Sequence, residues 1–210
     1  MKRKGLVIAA GFVAALAGVN LGMVPRLMAA DPAPATTPAD ESAVDEISGR
    51  FLLTAMNNRP VSTESFDGKI RLMAFGYTYC PDVCPTTLGV MAAALDELGP
   101  DAEQVVPLFI SVDPRRDTPE HLRSYLSAFG PSFIGLTGSK EQIDAAARAF
   151  KARYAIVPPQ PNEDPRYYVV DHSAGIYVMG RQGQFMARLG HAASPREVAD
   201  RIRQIIKRGG

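Results

Sequence analysis

Cysteine is scarce in this sequence, with two in 210 residues. A small scaffold stapled by several cross-links is therefore excluded. Net charge is scarce too, at +1 overall. Lys2, Arg3, Lys4 and Arg26 are the basic residues of positions 1–30, which hold no acid, so the remaining 19 basic and 22 acidic residues net to −3. A slightly acidic domain lacks the concentrated basic face that nucleic-acid binding needs, and no nucleic-acid partner is expected. No internal repeat recurs. The eight methionines form no Met-x-Met cluster, which argues against a thioether metal site. Apolar residues at 46% and charged residues at 21%, with a single long hydrophobic run, exclude a disordered chain, a collagen-like repeat and a polytopic membrane protein.

That single run is residues 5–24, GLVIAAGFVAALAGVNLGMV, preceded by Lys2-Arg3-Lys4. Twenty helical residues at about 1.5 Å each span roughly 30 Å, the thickness of a bilayer core. The basic residues hold the start of the chain in the cytoplasm and send the remainder across. Two readings stand: an uncleaved single-span anchor, which the length of the run favours, and a signal peptide cut near Leu27–Ala30. In both, the folded part works where disulfides are permitted, in the periplasm or an equivalent compartment. Residues 25–48 carry Pro25, Pro32, Pro34 and Pro38 with no hydrophobic period and read as an extended tether. The folded domain is expected over 49–207.

Within it, strands and helices alternate. Ile70–Tyr77 is an apolar run of strand length, and Leu88, Met91, Leu95 and Leu98 mark a helix over about 86–98, stopped by Gly99-Pro100. Val105–Val112 is a second strand, with Pro107 limiting how its first half can pair. Thr118-Pro119 opens the next helix as N-cap and first helical residue. A short strand near Phe133–Leu136 leads to a helix at about 140–153. Tyr167–Val170, Ser173–Met179 and Gln184–Leu189 read as strands, the last two joined by a Gly180–Gly183 turn. A helix over 195–206 closes the chain. This order predicts an α/β fold, a central mixed sheet flanked by helices, parallel in part with an antiparallel edge. In such sheets sites gather beyond the carboxyl ends of strands.

Both cysteines lie at such an end, in Cys80-Pro81-Asp82-Val83-Cys84-Pro85. Positions i and i+4 share a helical face, so the two sulfurs can converge on one atom or on each other. A strand-to-helix junction also offers a positive dipole end, expected to lower thiol pKa. Pro85 is expected to distort the first turn. Three readings remain on spacing: a short structural disulfide, a redox dithiol, or a metal site. Three histidines are available. His172, in Val170-Asp171-His172-Ser173, follows an apolar strand and so sits at an end that can face the cysteines. His121 falls in the first turn of a helix, where it is solvated, and His191 in a loop after the last strand. Two thiolates and one imidazole suit Cu(I), which tolerates low coordination, and also Cu(II) with a further ligand, whereas structural zinc wants four protein ligands. Asp113, Arg116 and Asp117 read as strand-end and helix-start residues.

With Phe75–Leu88 (FGYTYCPDVCPTTL), Ser111–Pro119 (SVDPRRDTP), Phe133–Gly138 and Tyr168–Ala174 (YVVDHSA) in this order, the chain resembles the Sco/SenC family of membrane-tethered, thioredoxin-like copper chaperones for cytochrome c oxidase assembly. The likeness covers about 49–206 and the anchor-plus-tether layout. It implies a thioredoxin-like fold and one Cu(I) or Cu(II) held by Cys80, Cys84 and His172. It also implies a copper-donor chaperone upstream and the copper A centre of oxidase subunit II as the destination. Some members of the family act as thiol–disulfide reductants, so Cys80 and Cys84 as a redox-active pair is the alternative. Asp82 and Asp171 are candidates for supporting or docking roles, and His191 for an auxiliary ligand. Two positions depart from the family pattern: Tyr79 stands where His is frequent, and the hairpin turn reads Gly180-Arg181-Gln182-Gly183 without its usual acid.

Overall fold

The computed structural model describes residues 47–162, 164 and 166–210. The expected anchor and all but the last two residues of the tether lie outside the described residues, among which no helix is long and apolar enough to cross a membrane. The elements are β1 (Leu52–Ala55), β2 (Pro60–Ser62), β3 (Ile70–Gly76), α1 (Val83–Leu98), β4 (Val105–Ser111), α2 (Pro119–Leu126), β5 (Ile134–Thr137), α3 (Lys140–Ala149), β6 (Tyr154–Val157), β7 (Val169–His172), β8 (Ile176–Met179), β9 (Phe185–Leu189) and α4 (Pro195–Lys207).

Seven strands form one mixed sheet in the order β2-β1-β5-β4-β3-β8-β9. The two most apolar strands, β3 and β4, run parallel at its centre, registered from Ile70 opposite Val105 to Gly76 opposite Ser111. Every residue of β3 is buried, as a strand covered on both faces must be. Pro107 acts as expected: β4 pairs with β3 along its length, but pairing with β5 begins only at Leu108. On the other flank β8 and β9 add antiparallel strands, the antiparallel edge that the order of elements predicts.

Helix α1 packs against α4, α2 against β5 and α3 against β1. Leu72, Met73, Leu88, Met91, Leu108 and Phe109 have no exposed surface. Burying each such side chain contributes about 1.5–3 kcal/mol. Helix starts follow the capping rules: the Thr118 hydroxyl accepts from the His121 N–H, and Ser139 and Ser194 form reciprocal caps with Gln142 and Glu197. Gly99 ends α1 with φ at +57°, and Lys151, at φ +51°, turns the chain out of α3 four residues earlier than the apolar spacing predicts.

Three strands escape sequence reasoning. β1, β2 and β6 have only four, three and four residues, too few for a period to register. The omission of β6 matters most, because β7 joins it in a separate two-stranded ribbon outside the main sheet. β7 also lies two residues later than expected, which makes His172 its last residue, opposite Tyr154.

Candidate metal centre

Strand β3 ends at Gly76, and the chain turns through Tyr77–Asp82 into α1. The Cys80 N–H donates to the Tyr77 carbonyl across 3.1 Å, folding the loop back on the strand end. Helix α1 begins at Val83, earlier than the leucine spacing suggests, because Pro85 is its third residue. No N–H is needed there, so the first turn accommodates the proline, while the N-cap Asp82 before it has torsions (φ −137°, ψ −68°) that are neither helical nor extended. Cys84 is thus in the first turn, and its sulfur fills the space over Gly76, where a Cβ would lie 2.4 Å from Cys84 Sγ. Both cysteines are free thiols, and both are buried.

His172 arrives from the ribbon. Its Nε2 lies 3.3 Å from Cys84 Sγ, across 88 positions of sequence. Its Nδ1 is 3.0 Å from the Val170 carbonyl, an acceptor only, so Nδ1 carries the proton and donates. In the neutral ring that tautomer turns the Nε2 lone pair toward the sulfur. The Tyr77 ring meets the imidazole edge to face at 5.5 Å. Donor atoms of Cys80, Cys84 and His172 all lie within 4.8 Å of one another, the one cluster of three or more such ligands among the described residues. Two metal–ligand bonds of about 2.0–2.3 Å end to end reach across about 4–4.6 Å, so one ion contacts all three donors with small side-chain adjustments.

The electrostatics differ from the expectation for a helix start. Burial pushes the Cys84 thiol well above its ordinary value, outweighing the backbone hydrogen bond at Tyr77 that opposes it, and the neighbouring Cys80 sulfur adds to the rise. Without a cation Cys84 is held as the thiol. Burial likewise raises the Tyr77 phenol. A cleft of about 290 Å³ between Pro81–Val83 and Val169–Asp171 opens onto Cys80 and His172.

Of the other expected residues, His191 is exposed in the loop after β9 and does not join the cluster. His121 is half-buried rather than solvated, stacked on Tyr79 at 5.4 Å. Asp82 and Asp171 are exposed on either side of the cleft. Sequence reasoning missed the support beneath the loop. The buried Asp117 carboxylate accepts from the Thr78 N–H (3.1 Å), the Thr78 hydroxyl (2.6 Å) and the Ser111 hydroxyl (2.6 Å), joining the cysteine loop to the end of β4. Desolvation raises the Asp117 carboxyl, opposed by these donors. The available signal was an acid in the loop following each of two adjacent central strands' carboxyl ends, which also fits an ordinary helix start.

The family model described as SCO1/SenC matches residues 39–207. Protein SenC of Rhodobacter capsulatus is 42% identical over 161 residues, covering 77% of this chain and 71% of that protein. The mitochondrial protein SCO2 of Saccharomyces cerevisiae is 37% identical over 163 residues, 77% of this chain but 53% of the yeast protein, so the match spans about half of that relative's length. Among solved structures, Arabidopsis thaliana ScoI with copper bound superposes with a TM-score of 0.71 at 35% identity, covering 77% of this chain and 99% of that one.

Proposed function

The chain belongs to the SCO1/SenC family, and from that premise we propose that it is a copper-binding assembly factor for cytochrome c oxidase, with Cys80, Cys84 and His172 as the copper ligands. The observation that carries the reading is the approach of His172 Nε2 to within 3.3 Å of Cys84 Sγ, with Cys80 alongside. Soft thiolates and an imidazole form a donor set suited to Cu(I), and to Cu(II) with a further ligand. The copper is cargo: it is accepted from a donor chaperone and delivered to the copper A centre of oxidase subunit II. Residues 1–24 anchor or export the chain, 25–48 tether it, and 49–207 form the copper-binding domain in the periplasm.

The residues divide the work. Cys84 and Cys80 give up their protons as the cation enters. His172 offers Nε2, because the Val170 carbonyl takes the Nδ1 proton and so selects the tautomer whose Nε2 is free to bind. The cleft beside Cys80 supplies the route by which a partner's ligands reach the metal.

The test is copper loading of residues 31–210 as Cu(I) and as Cu(II), in wild type and in Cys80→Ser, Cys84→Ser and His172→Ala. The expected result is one copper per chain, loss of tight binding in each cysteine variant, and loss of tight Cu(II) in His172→Ala. Free thiols side by side also suit a thiol–disulfide reductant. Copper-free protein that reduces the subunit II cysteines at an undiminished rate in His172→Ala would replace the copper reading with that one.

A further inference from the structure

Resting on the copper reading above, we infer that Arg116 is a positioning residue for the metal centre, holding the start of the His172 strand against the cysteine loop. His172 rides on a ribbon that shares no ladder with the seven-stranded sheet. Arg116 lies between that ribbon and the cysteine loop, in the segment between β4 and α2. On the ribbon side its Nη1 donates to the Tyr168 carbonyl at 3.0 Å, one residue before β7 begins, and its guanidinium carbon lies 3.6 Å from the centre of the Tyr168 ring. On the loop side the same cation is 4.7 Å from the Tyr79 ring and 5.6 Å from the Tyr77 ring.

The buried Asp113 carboxylate fixes this stack at both ends. One oxygen accepts from Arg116 Nε at 2.5 Å and the other from the Tyr168 hydroxyl at 2.7 Å. Arg116 Nη2 is buried without a hydrogen bond among the described residues, so that end of the fork is held by ring faces. Tyr77 and Tyr79 bracket the turn into Cys80, and Tyr168 stands four residues before His172. A planar cation with two usable edges and two usable faces is what this place requires. Lysine supplies the charge but neither the plane nor the fork.

The fold-change follows from the role. Residues that orient a metal ligand, rather than bind metal, typically cost 10- to 100-fold in affinity when changed. Arg116→Lys is expected to weaken Cu(II) binding by about tenfold at the lower end of that range and to reduce the nitrogen hyperfine coupling from His172 in the Cu(II) spectrum. Tyr168→Phe keeps the ring and removes only the hydroxyl bond to Asp113, so it should give a smaller loss of the same kind with the fold intact. In a His172→Ala background neither change should cost anything more, because the imidazole through which both act is gone.

Circular dichroism of each variant establishes that it folds. Should Arg116→Lys fail to fold, Tyr168→Phe carries the comparison alone. An unchanged nitrogen coupling in the folded variants, or an equal loss with His172 already removed, overturns the inference and leaves the copper reading standing. A wild-type protein whose copper uptake ignores His172 overturns both.

Discussion

Gly76→Ala tests whether the site depends on a missing side chain. The glycine has ordinary backbone torsions, so the substitution acts through space alone. The new Cβ would lie 2.4 Å from Cys84 Sγ, 2.8 Å from Phe109 Cε2 and 3.1 Å from Phe109 Cζ. Reaching an ordinary contact of about 3.4 Å requires the sulfur to retreat by roughly 1 Å or the strand to move. A retreat of that size is several times the spread of about 0.2 Å within which metal–ligand distances of a well-formed site fall. Overpacking a filled core costs about 1–3 kcal/mol, which at about 2–4 °C per kcal/mol for a domain of this size lowers Tm by about 2–12 °C. Copper affinity should fall by more than about tenfold, and the thiolate-to-copper absorption should weaken or shift. Gly135→Ala separates the two effects. Its Cβ would meet Leu126 Cδ1 at 2.8 Å and Leu122 Cβ at 3.0 Å, an overpacking of the same kind against α2 rather than against a cysteine. It should cost comparable stability and leave copper affinity unchanged. Calorimetry with and without copper, together with a competition titration, measures both quantities. Wild-type affinity and absorption in Gly76→Ala would refute the placement of Cys84 over that glycine.

Copper binding should release a proton from Cys84, because burial keeps its thiol protonated near neutral pH. Affinity should therefore rise with pH by about tenfold per unit for each proton released, and a competition titration at three pH values that showed no slope would contradict this. Thr78→Val removes the 2.6 Å hydroxyl bond to the buried Asp117 and should cost about 1–3 kcal/mol in chemical unfolding. Asp117 holds its proton to higher pH folded than unfolded, so ionising it subtracts stability as pH rises above the ordinary carboxylate value of 3.8. With the hydroxyl gone that subtraction grows, so the Thr78→Val penalty should be smaller at acid pH than at neutral pH. Arg71 is wholly buried and donates to the carbonyls of Gly180 (2.9 Å) and Thr63 (3.0 Å), tying the β8–β9 turn to the turn before β3. Its ion pair with Asp67 adds little, since that carboxylate is 59% exposed. Arg71→Met should lower stability by about 3 kcal/mol, read as a reduced urea midpoint with unchanged copper stoichiometry.

Much of the fold was legible because its central strands are continuous apolar runs and its helices carry strong ends. β3, β4 and the helix from Pro195 fall where pattern places them, and the helix at Pro119 where its Thr118 cap does. Cys80 and Cys84 were legible as a pair from spacing, and His172 from its place after an apolar strand. What pattern could not supply was the route by which His172 reaches the cysteines. That route runs through β6, whose four residues Tyr154–Val157 are exposed but for one and show no period. Strand pairing of this kind is set by a distant partner rather than by local sequence. The same limit hid Asp117 and Arg116. A buried acid and a helix-leading arginine have identical local signatures whether they end a strand or brace a site, and only the contacts with Thr78 and Tyr168 separate the two.

The geometry also favours metal capture over thiol chemistry in the copper-free protein. An attacking thiol works as the thiolate, and reactive cysteines sit in settings that lower their pKa. Burial moves Cys84 the other way, and its S–H has an acceptor already in place at His172 Nε2. A cation bound at the site must bond both atoms of this 3.3 Å contact. A cation arriving through the cleft takes over both ends of it: the sulfur, which loses its proton, and the imidazole lone pair, which the Val170 carbonyl keeps aimed inward. The positive charge then supplies what the buried position withholds, stabilisation of the thiolate. The same burial that disfavours the free Cys84 thiolate thus makes the site responsive to a soft cation, and return of the proton from a partner or from solvent favours release. On the proposed copper role, uptake and release would be two directions of an exchange of copper for thiol protons, and the pH slope of copper affinity measures it.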